Sequence, residues 1–330
     1  RMLGIGSLRL RTASLLEGVY EARDDIKRLV QMLEIRLGDS KDATETVALL
    51  RRIGELRDER LGEESEAFDA YARLVPVVPE DESVRSRFVE IGRRLSQHDK
   101  LAGVLEKAAD GAEGNGVRAE LSMMVAGIYE GALGDSSRAE DVYRKVLKID
   151  PEDVEIVIPA ARALSRLQAE SGRHADLAEY LQIEVHLEES VEARKAIYER
   201  LGDLYETMLE KRGMAINAWR SRLADDDADE HALTALERLY DRERADETVD
   251  EDRRRAASES LVEILRKREQ VSTDDSERRR ALVKAAGLLS GAVGNLPEAT
   301  LVWRSILETF GADREAHAAL IDLYEKAERY

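Results

Sequence analysis

A motif returns four times in register along this chain, and an internal repeat restricts the possible folds more than any other feature. The segment Leu133-Gly134-Asp135-Ser136-Ser137-Arg138-Ala139-Glu140-Asp141-Val142-Tyr143 is followed by Leu147 and Asp150-Pro151-Glu152-Asp153. An offset of 72 toward the N-terminus finds Leu61, Gly62, Ala67, Tyr71 and Pro79-Glu80-Asp81. An offset of 76 in the other direction finds Leu209, Ala215, Trp219 and Leu223, and a further 84 finds Val293, Ala299, Trp303 and Leu307. A second motif keeps the same offsets in the pairs Leu29 and Leu33, Leu101 and Leu105, Leu177 and Leu181, Leu261 and Leu265. One unit of about 72 to 84 residues therefore carries two motifs.

Apolar residues at three- and four-residue spacing divide each unit into four helical stretches. In the second unit these fall near 117–132, 135–149, 152–169 and 174–188. Gly134-Asp135 breaks the first pair, Asp150-Pro151 separates the pairs with proline near a helix start, and Ser171-Gly172 breaks the second. Two helical hairpins per unit follow. Pro159 falls inside the third helix and is expected to kink it, because it removes a main-chain donor and clashes one turn back. The composition agrees, with 5 Pro and 3 Phe in a chain dominated by Ala, Leu, Glu and Arg. The units run over about 41–115, 116–189 and 190–273, with partial units at 1–40 and 274–330, which reads as a fragment of a longer chain. The third unit carries about eight extra residues within the charged stretch 241–255, read as a solvated loop or frayed helix end.

Leu201-Gly202-Asp203-Leu204-Tyr205, followed by Ala215 and Trp219, resembles the first and second helices of the tetratricopeptide repeat family, and Asp150-Pro151 resembles that family's closing proline. The paired pattern is similar to long bacterial arrays of this type. The step from Gly202 to Ala215 is one residue longer than the family's spacing, and Gly54 to Ala67, Ala126 to Ala139 and Ala286 to Ala299 share the insertion. The second hairpin of each unit keeps only the leucine pair. The resemblance implies an all-α solenoid, a right-handed superhelix of roughly fourteen or more helices without strands, in which neighbouring hairpins bury one another's apolar faces. Ala139, Ala215 and Ala299 stand where helices approach closely, and Tyr143, Trp219 and Trp303 are expected to fill the space toward the next hairpin.

Acidic residues number 69 against 51 basic ones, giving a net charge of -18 and a pI of about 4.9. Such a field repels nucleic acid and anionic membrane surfaces and favours basic partners. The absence of Cys excludes disulfides, thiolate chemistry and Cys-based zinc sites, and leaves the compartment open. No stretch approaches the roughly 18 to 20 apolar residues that span a bilayer, and Arg1-Met2-Leu3-Gly4-Ile5-Gly6 shows no secretory leader. Asp225-Asp226-Asp227-Ala228-Asp229 lacks the glycine and distal glutamate of a calcium loop and sits where an aspartate would cap the next helix. His98 and His174 occupy equivalent turns, read as structural. Arg253-Arg254-Arg255 and Arg278-Arg279-Arg280 point in different directions on a helix and form no continuous basic face. No phosphate loop, nucleophile elbow or paired histidines on one helix face are present, so no catalytic, metal or cofactor site is expected.

In the tetratricopeptide family, ligands lie along the surface lined by the first helix of each hairpin. Carried over, that surface comprises Ala48, Arg51, Glu55, Asp58 and Glu59, then Glu120, Met123, Gly127, Glu130 and Gly131. Next come Ala196, Glu199, Asp203, Glu206 and Thr207, and finally Arg280, Val283, Gly287, Ser290 and Gly291, where the acidity disappears. The expected binding groove therefore rests on Arg51, Glu55, Asp58, Glu120, Glu130, Glu199, Asp203 and Glu206. It implies a non-catalytic scaffold that holds a protein or peptide of basic character, with end-to-end self-association through uncapped termini left open. A helical-repeat enzyme or a nucleic-acid-binding repeat is the second reading.

Overall fold

Helix after helix along the chain stops at a residue in the left-handed backbone region, and the repeat places these residues in equivalent turns. In the first hairpin of each unit they are Gly62, Gly134, Glu210 and Gly294, with φ of 65°, 64°, 53° and 76°. In the second hairpin they are Asp24, Ser96 and Gly172, with φ of 54°, 54° and 68°. The structure, a computed structural model, describes residues 6–328. The N-terminal segment read for a leader lies, apart from Gly6, outside the described residues.

The described residues form helices and contain no strand. They fall into two compact units. The first holds α1 (Gly6–Ala22), α2 (Ile26–Asp39), α3 (Ala43–Glu55), α4 (Glu64–Leu74), α5 (Glu82–Arg94), α6 (His98–Gly111), α7 (Asn115–Gly127), α8 (Ser136–Val146) and α9 (Val154–Ser171). The second holds α10 (His174–Leu187), α11 (Val191–Thr207), α12 (Arg212–Asp225), α13 (Glu230–Ala245), α14 (Glu251–Val271), α15 (Asp275–Ser290), α16 (Leu296–Phe310) and α17 (Arg314–Glu328). Within each unit every helix packs on its successor in chain order, the arrangement of an all-α solenoid built from helical hairpins. α1 leaves Leu10, Leu15 and Val19 exposed, and α17 leaves Ile321 and Tyr324 exposed.

The extra residue between Gly54 and Ala67, and between its equivalents, has a common structural consequence. α3 and α7 pass into π-helical turns, Leu56–Leu61 and Ile128–Ala132. Glu63, Asp135, Lys211 and Asn295 then donate their N–H groups six residues back, to the carbonyls of Arg57, Tyr129, Tyr205 and Leu289. A wider turn absorbs the additional residue while leaving the helix ends hydrogen-bonded. The stretch expected as one helix over 117–132 thus ends in a π turn.

Capping follows the inter-hairpin aspartates. Asp81, Asp229 and Asp313 accept from Val84, Ala232 and Ala316 N–H, and Asp153 accepts from Glu155 N–H. α9 continues as helix through Pro159. The charged stretch 241–255 is more ordered than a solvated loop. It completes α13 and begins α14, leaving 246–250 as the connection, and Arg253 is tied to the buried Glu243 at 2.6 Å.

Close approach of the two helices of a hairpin depends on one pairing. The Tyr71 ring lies 3.0 Å from where a side chain on Gly54 would begin, and the Trp219 indole covers Gly202 more closely still. Phe68 covers Gly92 in the same manner and stacks on Phe88 with ring centroids 4.7 Å apart. Trp219 is 3% exposed and Trp303 is 5% exposed. Besides the expected position toward the next hairpin, Trp219 has a contact that the spacing does not reveal. Its ring sits against the first helix of its own hairpin, because Gly202 is the one position there without a Cβ to exclude it, and it lines a cleft together with residues of α13. Trp219→Ala should lower stability by about 3 to 5 kcal/mol, as large buried aromatics do. Gly202→Ala should cost about 1 to 3 kcal/mol through overpacking. Glu210→Gly should instead stabilise by about 1 kcal/mol, since it relieves a left-handed non-glycine residue. Thermal and chemical denaturation of the three variants checks all three signs.

Candidate interaction surface

The carboxylates expected to line a groove are mostly engaged by arginines. In the first unit Arg51 of α3 donates to Asp81 at 2.5 Å. Asp58 is buried and held by Arg87 of α5. Glu120 of α7 accepts from the buried Arg85 at 2.8 Å, and the same guanidinium donates to the Pro79 carbonyl at 2.6 Å. Glu130 is gripped by Arg166 of α9 and by the Tyr143 hydroxyl at 3.1 Å. The Arg166 contact leads the causes that hold the Glu130 carboxyl below its ordinary range. Burial, reinforced by Glu130, pushes the Tyr143 phenol up to about 12. Glu55 alone among these acids is exposed and meets no cation among the described residues.

In the second unit Glu206 of α11 takes both Arg238 at 2.6 Å and Arg242 at 2.8 Å from α13, and its side chain is only 9% exposed. Glu199 accepts from Arg222 at 2.5 Å, with His231 3.7 Å away. Asp203 is exposed and has no cation partner among the described residues. The structure therefore separates the expected site residues into two groups. Asp58, Glu130 and Glu206 brace one hairpin against the next, whereas Glu55 and Asp203 face solvent free of counter-charge. Counting carboxylates along one helix misses the arginines that neutralise them, which stand on the first helix of the following hairpin.

A cleft of about 470 Å³ opens between α11 and α13, lined by Glu199, Asp203, Glu230, His231, Thr234 and Arg238, with Trp219 and Ala235 on its wall. Glu230 is exposed and, like Asp203, meets no cation among the described residues. A second cleft of about 570 Å³ runs along the other flank of α13, where Arg238, Arg242, Arg268 and Arg280 face Glu237 and Asp241. Of the α15 positions carried over from the sequence, only Arg280 lines this cleft; its other arginines come from α13 and α14. No group of three or more His, Asp or Glu among the described residues is arranged to hold a metal ion.

Stacked helical hairpins with glycines facing aromatics define an all-α helical-repeat protein. No family model matches the sequence, and no curated protein matches it either. Among solved structures, the C-terminal part of a tetratricopeptide repeat-containing protein from Cytophaga hutchinsonii is similar, at 12% identity and a TM-score of 0.34, covering 82% of this chain and 98% of that one. A tetratricopeptide repeat protein from Parabacteroides merdae is similar at 13% identity and a TM-score of 0.30, covering 84% and 98%. The apo form of the quorum sensor NprR from B. thuringiensis is similar at 12% identity and a TM-score of 0.32, covering 91% and 87%. At these scores the likeness carries no weight beyond what the hairpins themselves establish.

The capping aspartates also pair with bases on the preceding first helix of the array. Asp81 takes Arg51, Asp229 takes Lys195 at 2.9 Å, and Asp313 takes Arg279 at 2.5 Å. For Asp81, burial works to raise the pKa, but Arg51 and the Val84 and Ser83 donors outweigh it and bring the carboxyl to about 2. For Asp313, Arg279 leads and the Ala316 N–H assists, again to about 2. A depressed carboxyl stabilises the fold above its unfolded pKa of about 4 and ceases to do so as pH falls toward the folded value. Stability should therefore drop between about pH 4 and pH 2. Arg51→Gln and Arg279→Gln should flatten that drop in denaturation series across this range, whereas an unchanged slope would show that the pairs do not couple to folding.

Proposed function

We propose that this chain is a non-catalytic scaffold whose second unit holds a lysine- or arginine-bearing segment of a partner protein in the cleft between α11 and α13. The observation that carries this reading is the cleft of about 470 Å³ in which Asp203 and Glu230 stand exposed without counter-charge, while the neighbouring Glu206 is already bound by two arginines. A basic side chain placed there gains partners that the fold itself does not supply. The net charge of -18 adds a long-range field that draws the same kind of partner. Trp219 gives the cleft a rigid wall, since its ring is fixed against Gly202.

Binding of a fluorescein-labelled oligolysine peptide to the full chain, followed by anisotropy, tests the reading. Affinity should fall steeply as salt rises, because the Debye length shortens to about 8 Å at physiological ionic strength. Asp203→Lys with Glu230→Lys should weaken binding by about tenfold and leave the thermal midpoint in place, since exposed charges contribute little to stability. Glu206→Lys should instead lower the midpoint, because it strands Arg238 and Arg242. Peptide binding that survives the Asp203 and Glu230 reversals would place the working surface elsewhere, on the second helices of the hairpins or at the α13–α14 connection.

A further inference from the structure

We infer that the occupant of the second unit's surface carries charge of both signs, a basic cluster at one end and an acidic cluster about 18 Å away, and that α13 reads both. The inference rests on the α11–α13 cleft being a binding surface and names the chemistry of what binds there. The two clefts that flank α13 share Thr234 and Arg238, so they adjoin along one helix within a single compact unit. The first presents Asp203 and Glu230 without counter-charge. The second gathers Arg238, Arg242, Arg268 and Arg280.

The carboxylates of the second cleft are already spoken for. Lys284 of α15 reaches Glu237 at 2.8 Å and also Asp241, and Arg268 lies 3.2 Å from Glu237. Arg238 and Arg242 share the single carboxylate of Glu206. The Arg280 side chain is 72% exposed, with Glu277 no nearer than 3.7 Å. Cations therefore outnumber acids on this flank of a chain that is strongly acidic elsewhere. A purely basic segment satisfies only the first cleft and is repelled by the second, so complementarity selects a two-signed occupant and sets its direction.

The geometry also sets the spacing. Glu230 and Arg242 are separated by twelve residues of helix, or about 18 Å at 1.5 Å per residue. An extended segment covers that distance in about five or six residues. The matching occupant is an extended peptide segment with basic residues, a short neutral spacer and acidic residues.

Three labelled peptides of equal length test this against the full chain. One carries a run of three lysines, a neutral spacer of alternating alanine and serine six residues long, and a run of three glutamates; the other two replace its charged positions with lysine throughout or with glutamate throughout. The mixed peptide should bind at least about fivefold more tightly than either single-sign peptide at moderate salt. Arg280→Gln and Arg280→Glu should each reduce its affinity toward that of the all-lysine peptide, and Asp203→Lys with Glu230→Lys should abolish the lysine contribution, all with an unchanged thermal midpoint. An all-lysine peptide that binds as tightly as the mixed one and ignores the arginine substitutions would overturn the inference while leaving the α11–α13 cleft in place. Failure of all three peptides to bind would remove the cleft itself as a binding surface.

Discussion

The contact between a glycine on one helix and an aromatic ring on the next sets the interhelix distance on which the remaining structure depends. Gly54 beside Tyr71 and Gly202 beside Trp219 leave the ring the space a Cβ would take, so the two helices of a hairpin approach closely. Once that distance is set, the leucines of the same helices reach a shared interior, and Leu201, Leu223, Leu233 and Leu236 join Trp219 in one continuous core in the second unit. A hairpin alone has no such interior, because its outward face is completed only by the hairpin that follows.

Electrostatics act at the next level. An acidic chain with 36% charged residues would repel itself if its carboxylates were left on a common face. Instead Asp58, Glu130 and Glu206 each take an arginine from the following hairpin, and the capping aspartates Asp81, Asp229 and Asp313 each take a base from the preceding first helix. Charge is thereby used to hold successive hairpins in register, through contacts that join the elements apolar packing has brought together. Among the groove acids and those lining the α11–α13 cleft, Glu55, Asp203 and Glu230 stand outside this scheme.

That contrast separates a structural carboxylate from one available to a partner. A scaffold needs side chains whose interactions are not already consumed by folding, placed on elements rigid enough to hold them. In the second unit α13 is anchored by Leu233, Leu236 and Leu239 in the core and lines both clefts, with Glu230 exposed and unpaired among the described residues.

The helical hairpins and the capping aspartates at Asp81, Asp153 and Asp229 were legible in the sequence, whereas the seating of the Tyr71 and Trp219 rings on Gly54 and Gly202 was not. The hairpins and caps are local or periodic properties, and periodicity survives projection onto one dimension. The one-residue insertion was also visible, but not its form, because a π turn and a longer loop cost the same number of residues. What only the tertiary structure decided was which carboxylates are spent. Glu206 and Asp203 lie three residues apart on one helix and read alike in sequence, yet one is enclosed by Arg238 and Arg242 and the other faces an open cleft. The arginines that distinguish them are more than thirty residues away, and their reach is set by how closely α13 packs beside α11, a distance that no pattern along a single helix records.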